Sequence, residues 1–200
     1  MDYKKNARQL TKKIIHSNKV RYLKIKYPGK KGNFMAEWKL VRNPSKVILT
    51  AAVFKILSFF PPGKVKNSFY RLFGVKIGKN VSIAHYTTLD FIFPELITIQ
   101  DNVIIGSNCE VSVHDFMPYW FTLGRVIIKE GAFIGGHTVI APGVTIEKKS
   151  LIALKSFVKS NIPEGETWGG TPARMIRQKG VDSFTMEKNY EMEFYDDHNI

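Results

Sequence analysis

Cysteine and long apolar runs are both scarce in this sequence, and each scarcity excludes a class of protein. A single cysteine, Cys109, occurs in 200 residues, which excludes an intrachain disulfide and a multi-cysteine metal site. The most apolar run, Val47–Phe60, has 14 residues, includes Lys55 and stops at two prolines. A membrane-spanning helix needs about 20 apolar residues. We therefore predict a helix that packs on the body of the protein or, alternatively, lies in a membrane interface.

Acidic residues are scarce in the first part of the chain. Residues 1–46 contain fourteen Lys or Arg but only Asp2 and Glu37, whereas residues 181–200 contain six acids and one lysine. The basic arm indicates an anionic partner such as a membrane surface, a phosphorylated substrate or nucleic acid. It is equally consistent with a solvated arm, or with one that packs on the acidic tail of a neighbouring subunit. No nucleic-acid-binding motif accompanies the charge, so no nucleic-acid partner is expected.

Aliphatic residues recur every six positions from residue 77 onward. The series are Ile77, Ile83 and Leu89; Ile99, Ile105 and Val111; and Ile128, Ile134, Ile140, Ile146, Ile152 and Val158. In nine of these twelve hexapeptides, the residue four places later is Ala, Ser, Cys, Thr or Val. Six residues make a short strand plus a tight turn, and three such units close a triangular coil whose strands stack in parallel. The sequence therefore predicts a mainly β protein built on a parallel β-helix of about four coils.

The end of the repeat carries a more specific motif. The segment Ile134–Arg177 contains the run Gly169-Gly170-Thr171-Pro172-Ala173-Arg174-Met175-Ile176. This run is similar to the closing signature of the left-handed β-helix acyltransferases, the hexapeptide-repeat family that includes galactoside, maltose and serine acetyltransferases. The resemblance covers residues 74–177. Residues 1–73 would then be a basic, partly helical N-terminal extension with an apolar helix, and residues 178–200 an acidic C-terminal tail.

That resemblance implies a set of properties beyond the fold. It implies a left-handed coil, acetyl-CoA or another acyl-CoA as co-substrate, and a homotrimer whose active sites lie between subunits. A cytoplasmic location is expected with it. Peripheral membrane contact through the basic N-terminal segment is a further expectation, and it depends on the charge of that segment.

The repeat breaks after Leu89 and again after Val111, where a loop with the sequence HDFMPYWFTLGR occupies residues 114–125. Solenoid proteins carry function on such insertions. Transfer of an acyl group to a hydroxyl needs a base, and a neutral imidazole is available near pH 7. The resembling enzymes use a histidine at the loop that leaves the coil, which implies His114 as general base. Asp115 would orient its ring or line the acceptor pocket.

The resemblance also implies where coenzyme A binds, position by position. The implied residues are Gly136, Leu154, Lys159, Ser160, Arg174 and Arg177. The two arginines suit the 3′-phosphate and the pyrophosphate of coenzyme A, although Arg177 would equally suit a solvated basic edge. Leu154 and Lys155 stand where the family has a small pair such as Ala-Gly. Side chains of this size would narrow the channel for the pantetheine arm.

The other histidines have plainer interpretations. His137 lies within an intact hexapeptide and is interpreted as structural or as lining the coenzyme A site, whereas His85 faces the cleft or caps a turn. His16 and His198 lie in the charged arms, where solvent exposure is expected. Carbonic anhydrases with the same prism bind zinc through a close pair of histidines. The histidines of this repeat are at least 23 residues apart, so no metal is expected.

These observations favour an O-acetyltransferase that acts on a sugar or a surface-polysaccharide precursor. The aromatic residues of the loop would stack on such an acceptor or hold the loop against a neighbouring subunit. Two alternatives remain open from the sequence. One is an N-acyltransferase that acts on an amino-sugar, and the other is a non-catalytic β-helix scaffold or binding subunit.

Overall fold

The computed structural model describes residues 3–17, 22–26 and 33–178. The predicted acidic tail, with His198, lies outside these residues except for Gln178. The described part of the N-terminal extension contains α1 (Tyr3–His16), β1 (Tyr22–Lys26), α2 (Pro44–Ser58) and α3 (Lys64–Leu72). A short 3-10 helix, Met35–Leu40, precedes α2. Asn43 caps α2, because its side chain accepts a hydrogen bond from the backbone N–H of Ser45 (3.0 Å).

The hexapeptides fold into short strands that wind into successive coils. The first coil contains β2 (Lys76–Ile77), β3 (Ser82–Ile83) and β4 (Thr88–Leu89), and the second contains β5 (Ile97–Ile99), β6 (Ile104–Ile105) and β7 (Glu110–Val111). A hairpin follows, formed by β8 (His114–Phe116) and β9 (Trp120–Gly124). The third coil contains β10 (Val126–Ile128), β11 (Phe133–Ile134) and β12 (Val139–Ile140), and the fourth contains β13 (Thr145–Ile146), β14 (Leu151–Ile152) and β15 (Phe157–Val158). The prism ends with β16 (Thr167–Gly169) and β17 (Arg174–Arg177).

Strands that occupy the same position in successive coils pair in parallel, which gives the prism three sheets. Their orders are β2-β5-β10-β13, β3-β6-β11-β14-β16 and β4-β7-β12-β15. The aliphatic residues of the repeat stay in register through each sheet; in the first, for example, Ile77 pairs with Ile99 and Ile128 with Ile146. Four complete coils result. Ile162 then bridges to Ile146 at the start of a fifth, and β17 pairs with β16 in the antiparallel sense.

The core of the prism consists of the two inward positions of each hexapeptide. Eleven of the twelve repeat aliphatics are buried, and only Ile77, in the first coil, is half-buried. The nine Ala, Ser, Cys, Thr and Val residues four places later are all buried as well, including Cys109. The thiol of Cys109 is buried in this core and contacts the carbonyl oxygen of Gly135 (3.2 Å). Each buried aliphatic side chain contributes about 1.5–3 kcal/mol to folding, so the repeat that is visible in the sequence is also what holds the coils together.

The apolar run Val47–Phe60 lies mostly within α2, which has two different faces. One face is buried, with Val47, Phe54 and Leu57 against the body of the protein. The opposite face exposes large apolar side chains. Among the residues described, no helix has the length and apolar character needed to span a bilayer.

One corner of the prism positions the site described below. Successive coils place one residue each there, directly after a strand of the same sheet: Asp90, Ser112, Ala141 and Lys159. The β8–β9 hairpin leaves the prism at this corner, immediately after Val113. Its return needs a glycine, because a Cβ on Gly124 would lie 2.3 Å from the backbone nitrogen of Gly143.

Candidate active site

His114 is the first residue of the hairpin and stands at the corner where the second coil ends. Its backbone pairs with Leu123 across the two strands of the hairpin. The Oγ of Ser112 donates a hydrogen bond to the carbonyl oxygen of His114 (2.8 Å). The imidazole retains 20% of its surface exposed. The backbone of His114 is therefore held at two points, and its ring is still open to a substrate.

The carboxylate that contacts the imidazole belongs to Asp90. Its Oδ2 lies within hydrogen-bond distance of Nδ1 of His114, and only 1% of its side chain is exposed. The other carboxylate oxygen, Oδ1, accepts the backbone N–H groups of Ile92 (2.9 Å) and Phe93 (3.0 Å). Oδ2 also accepts the N–H of Val113 (3.0 Å). These bonds fix the carboxylate in one orientation between the first and second coils.

The electrostatics of this pair determine which nitrogen of the ring is free. Burial alone would raise the pKa of Asp90, but the hydrogen bond and the charge interaction with His114, together with the backbone N–H donors, hold it below its ordinary value. The carboxylate is therefore ionised near neutral pH and can only accept hydrogen bonds. Consequently Nδ1 of His114 carries a proton and donates a hydrogen bond to the carboxylate of Asp90. When the ring is neutral, its lone pair therefore lies on Nε2.

Aromatic rings surround the imidazole on the side of the hairpin. The ring centroid of His114 is 5.1 Å from that of Phe116 and 5.9 Å from that of Phe93. Phe116 in turn stacks on Phe121 at 4.6 Å, and the fully buried Phe34 of the N-terminal extension stacks on Phe121 at 5.4 Å. This cluster fixes the ring and keeps water from one side of it.

A small open pocket of about 90 Å³ lies between the first two coils beside His114. Its lining combines aromatic and polar groups, including Phe91, which is 41% exposed, and the side chains of Glu110 and Ser112. An apolar ring next to hydrogen-bonding groups suits a molecule with both a hydrophobic face and hydroxyls. The pocket is therefore a candidate site for the group that His114 would deprotonate.

The N-terminal extension braces the hairpin from outside. Strand β1 pairs antiparallel with β9, from Tyr22 opposite Gly124 to Lys26 opposite Trp120. The buried guanidinium of Arg125 contacts the carbonyl oxygen of Ile14 and donates to those of Ile15 (3.2 Å) and Ser17 (3.1 Å) at the end of α1. The predicted basic arm is therefore, in its described part, a structural support of the loop that carries His114.

The two predicted catalytic residues differ in their placement. His114 lies in the pocket against Asp90, whereas Asp115 points to the exposed side of β8. Neighbouring residues of a strand face opposite sides, so a carboxylate one position after the histidine cannot follow it inward. The sequence did not lead us to Asp90, although one feature marks its position. Asp90 directly follows Leu89, where the six-residue register first breaks.

The residues implied for coenzyme A binding occupy three places. Lys159 and Ser160 are exposed at the same corner as His114, two coils farther along, or about 10 Å at the usual strand spacing. Gly136 and the 65%-exposed Leu154 lie at a different corner, in the turns that follow β11 and β14. Arg174 and Arg177 are exposed on β17 at the end of the prism. One chain therefore does not gather all six around its own His114.

The other histidines lie apart from the pocket. His137 adopts φ +60° in a corner turn, where its backbone N–H donates to the carbonyl oxygen of Ser107 (2.8 Å). His85 is exposed in the equivalent turn of the first coil, and Nδ1 of His16 lies 2.8 Å from a backbone carbonyl oxygen of its own helix. In the part of the chain that the structure describes, no three His, Cys, Asp or Glu side chains form a group able to hold a metal ion.

Comparisons with known proteins agree with this architecture. A family model described as the hexapeptide repeat of succinyl-transferase matches residues 96–114 and 125–153, on either side of the hairpin. The crystal structure of the hexapeptide-repeat acetyltransferase VCA0836 from Vibrio cholerae superposes with a TM-score of 0.58 at 21% identity, over 74% of this chain and 95% of that one. This likeness shows a shared fold, the left-handed β-helix that the sequence motif implied. The same Vibrio protein has also been solved in complex with acetyl-CoA.

Two relatives are closer in sequence. YvoF of Bacillus subtilis (strain 168), which is provisionally named an acetyltransferase, is 33% identical over 147 residues, covering 73% of this chain and 86% of YvoF. Galactoside O-acetyltransferase of Escherichia coli (strain K12) is 35% identical over 106 residues, covering 48% of this chain and 52% of that enzyme. With this identity and coverage, the chain belongs to the hexapeptide-repeat acetyltransferase family and is an enzyme of the acyltransferase class.

Proposed function

We propose that this enzyme transfers an acetyl group from acetyl-CoA to a hydroxyl of a sugar or surface-glycan precursor, with His114 as the general base. The observation that carries the proposal is the buried Asp90 carboxylate against Nδ1 of His114, at the edge of an open pocket. A histidine that only supported the fold would not need an ionised, fully buried partner and an exposed edge at the same time.

In the proposed reaction, Nε2 of His114 takes the proton of the acceptor hydroxyl as its oxygen attacks the thioester carbonyl carbon. The ionised Asp90 stabilises the imidazolium that forms. The C–S bond of the tetrahedral intermediate then breaks, and the departing thiolate of coenzyme A takes the proton from the imidazolium. The products are the acetyl ester and free coenzyme A. No covalent enzyme intermediate is needed, because a thiolate is a good leaving group.

The proposed donor site uses the groups at the later coils. Lys159, Arg174 and Arg177 place exposed cationic side chains there, and coenzyme A carries a 3′-phosphate and a pyrophosphate. Ser160 adds a hydroxyl beside Lys159. The acetyl-CoA complex of the Vibrio acetyltransferase supports the choice of donor, and an acyl-CoA donor is consistent with a cytoplasmic enzyme.

The placement of the implied coenzyme A residues at separate corners fits a homotrimer better than a single chain. Gly136 and Leu154 lie at a corner that is separate from the corner of His114. In a three-fold assembly, the corner of one prism can face the neighbouring corner of the next. We propose that Gly136 and Leu154 complete the donor channel across such an interface. The test is the mass of the particle in solution by light scattering, which should be three times the 22.8-kDa chain mass.

The lining of the pocket supports a hydroxyl acceptor. Phe91 offers a ring for stacking, and Glu110 can accept hydrogen bonds from the hydroxyls of a sugar. The similarity to galactoside O-acetyltransferase supports the same substrate class. An amino-sugar would use the same base, so amine and hydroxyl acceptors have to be compared directly.

The experiment is a coenzyme A release assay with acetyl-CoA and a panel of sugars and amino-sugars. Wild type is compared with His114→Ala, and with His16→Ala as a matched control, because His16 is exposed on α1. Removal of a general base lowers the rate by about 10²–10⁴-fold. We therefore expect a loss of that size in His114→Ala and none in His16→Ala.

Each contrary outcome has a defined meaning. Equal turnover by wild type and His114→Ala would assign the base to another residue. Turnover of amino-sugars alone would make the enzyme an N-acyltransferase. Failure to bind acetyl-CoA in a calorimetric titration would refute the enzymatic proposal and favour a scaffold or binding subunit.

A further inference from the structure

The helical pair α2–α3 presents a large apolar face that nothing in the described chain covers. α2 and the residues after it expose Ile48, Leu49, Ile56, Phe59 and Phe60, each by 49–66%. α3 exposes Val65, Phe69 and Leu72, each by 46–78%, at the spacing of one helix face. Soluble monomers rarely expose so many large apolar side chains together, and such patches mark interaction surfaces.

A groove of about 240 Å³ runs between the two helices within this face. It is lined by the apolar side chains of Val53, Ile56, Phe60, Val65 and Phe69, with Lys66 at its base. The amine of Lys66 is already engaged, since it donates to the carbonyl oxygens of Phe60, Ile83 and Ala84 at 3.0–3.2 Å. The groove is therefore almost purely apolar.

The charge around this face has one sign. Residues 44–73 contain five basic residues and no Asp or Glu. Lys55 and Lys64 are exposed beside the apolar side chains, whereas Lys46 pairs with Glu95 at the edge (2.9 Å). A second copy of the chain that docked through the same face would bring like charges together. An anionic lipid surface would complement both the apolar side chains and the lysines.

We infer that the α2–α3 face is a docking surface for an anionic membrane, on which the enzyme lies peripherally. The apolar side chains would enter the boundary between headgroups and acyl chains, and Lys55 and Lys64 would contact lipid phosphates. The helices pack on the first coil, and the pocket of His114 lies between the first and second coils. Docking would thus bring the pocket near the lipid surface, where a lipid-linked acceptor could reach it. This last step alone rests on the proposed function.

The test is co-sedimentation of the full chain with vesicles of two compositions, phosphatidylcholine alone and phosphatidylcholine mixed with phosphatidylglycerol. We expect at least about tenfold stronger binding to the anionic vesicles. Two variants follow: Phe60→Ser/Phe69→Ser, which removes apolar contact, and Lys55→Glu/Lys64→Glu, which reverses charge. Each should weaken binding to anionic vesicles by at least about tenfold. Met35→Ser is the matched control, because Met35 is 66% exposed outside this face.

Three results would overturn the inference. They are absence of binding to either vesicle, equal binding to both, and anionic binding that the α2–α3 variants leave unchanged. Light scattering on the same variants gives a second readout: a change in particle mass would assign the face to a subunit interface instead. The variants should keep wild-type coenzyme A release with a soluble acceptor, so failure of this inference is distinguishable from failure of the proposed catalysis.

Discussion

The carboxylate of Asp90 and the imidazole of His114 are in direct contact although 24 residues separate them in sequence. One turn of the β-helix accounts for this distance, because Asp90 ends the first coil at the corner where His114 begins the hairpin after the second. The carboxylate is anchored by three backbone N–H groups. The pair is thus built by the stacking of the coils, and the following predictions depend on it and on the elements that support it.

Asp90→Asn should lower kcat for coenzyme A release by about 10²–10⁴-fold. The amide removes the charge that stabilises the imidazolium and no longer fixes the proton on Nδ1. Asp115→Asn is the matched control and should change kcat by less than about twofold, because Asp115 is exposed on β8. Steady-state rates and thermal unfolding should be measured together. A folded Asp90→Asn variant with full activity would contradict this assignment.

Arg125→Met should lower the free energy of unfolding by about 1–3 kcal/mol and should also reduce activity. The guanidinium holds the carbonyl oxygens at the end of α1, and buried acceptors that lose their donor are costly. Urea denaturation measures the first effect and coenzyme A release the second. Arg8→Met, at an exposed position of α1, should change neither. Loss of stability without loss of activity would show that the N-terminal brace is not needed by the hairpin.

Lys66→Met should remove a pH dependence of stability. Burial lowers the pKa of Lys66 from 10.5 to about 8, so between these values the unfolded chain binds more protons than the folded one. The free energy of unfolding of the wild type should therefore rise with pH across this window. Urea denaturation at several pH values, compared with the exposed-site control Lys64→Met, measures the contribution. An identical slope in Lys66→Met and wild type would refute this origin.

Leu154→Ala should lower the KM for acetyl-CoA severalfold and leave kcat unchanged, if the pantetheine arm passes this corner as proposed. The side chain of Leu154 is 65% exposed, so its truncation should hardly change stability. Leu49→Ala, at an exposed site on α2, is the control. Initial rates over a range of acetyl-CoA concentrations separate the two parameters. An unchanged KM would place the donor elsewhere.

The sequence was most informative where the structure is periodic. Spacing alone predicted which residues face the core, because every hexapeptide occupies the same environment. Ile77, in the first strand of the first coil, is the one half-buried exception. The break after Val111 located the hairpin for the same reason. Handedness did not follow from the spacing and rested on the resemblance to a family.

Pairings between distant segments could not be predicted in this way. Asp90 belongs to a different coil from His114, and the adjacent Asp115 was the nearer but wrongly facing carboxylate. Strand β1 is five residues in a basic arm, and its partner β9 lies about a hundred positions later. The register break beside Asp90 marks its position but not its partner, and nothing local marks the pairing of β1 with β9, because both relationships depend on where the coils and the hairpin bring the chain back.

The six-residue unit also fixes the angular position of each residue around the axis of the prism. Each hexapeptide advances the chain by one face, so removal of a single unit between Asp90 and His114 would rotate everything after it by a third of a turn. The remaining strands could still stack and bury their aliphatic residues. The histidine, however, would emerge at a different corner from its carboxylate. Insertion or deletion of hexapeptides in this segment should therefore preserve the stacking of the coils but separate His114 from Asp90. Even an added full coil, which restores the corner, would move the two residues about 4.8 Å farther apart.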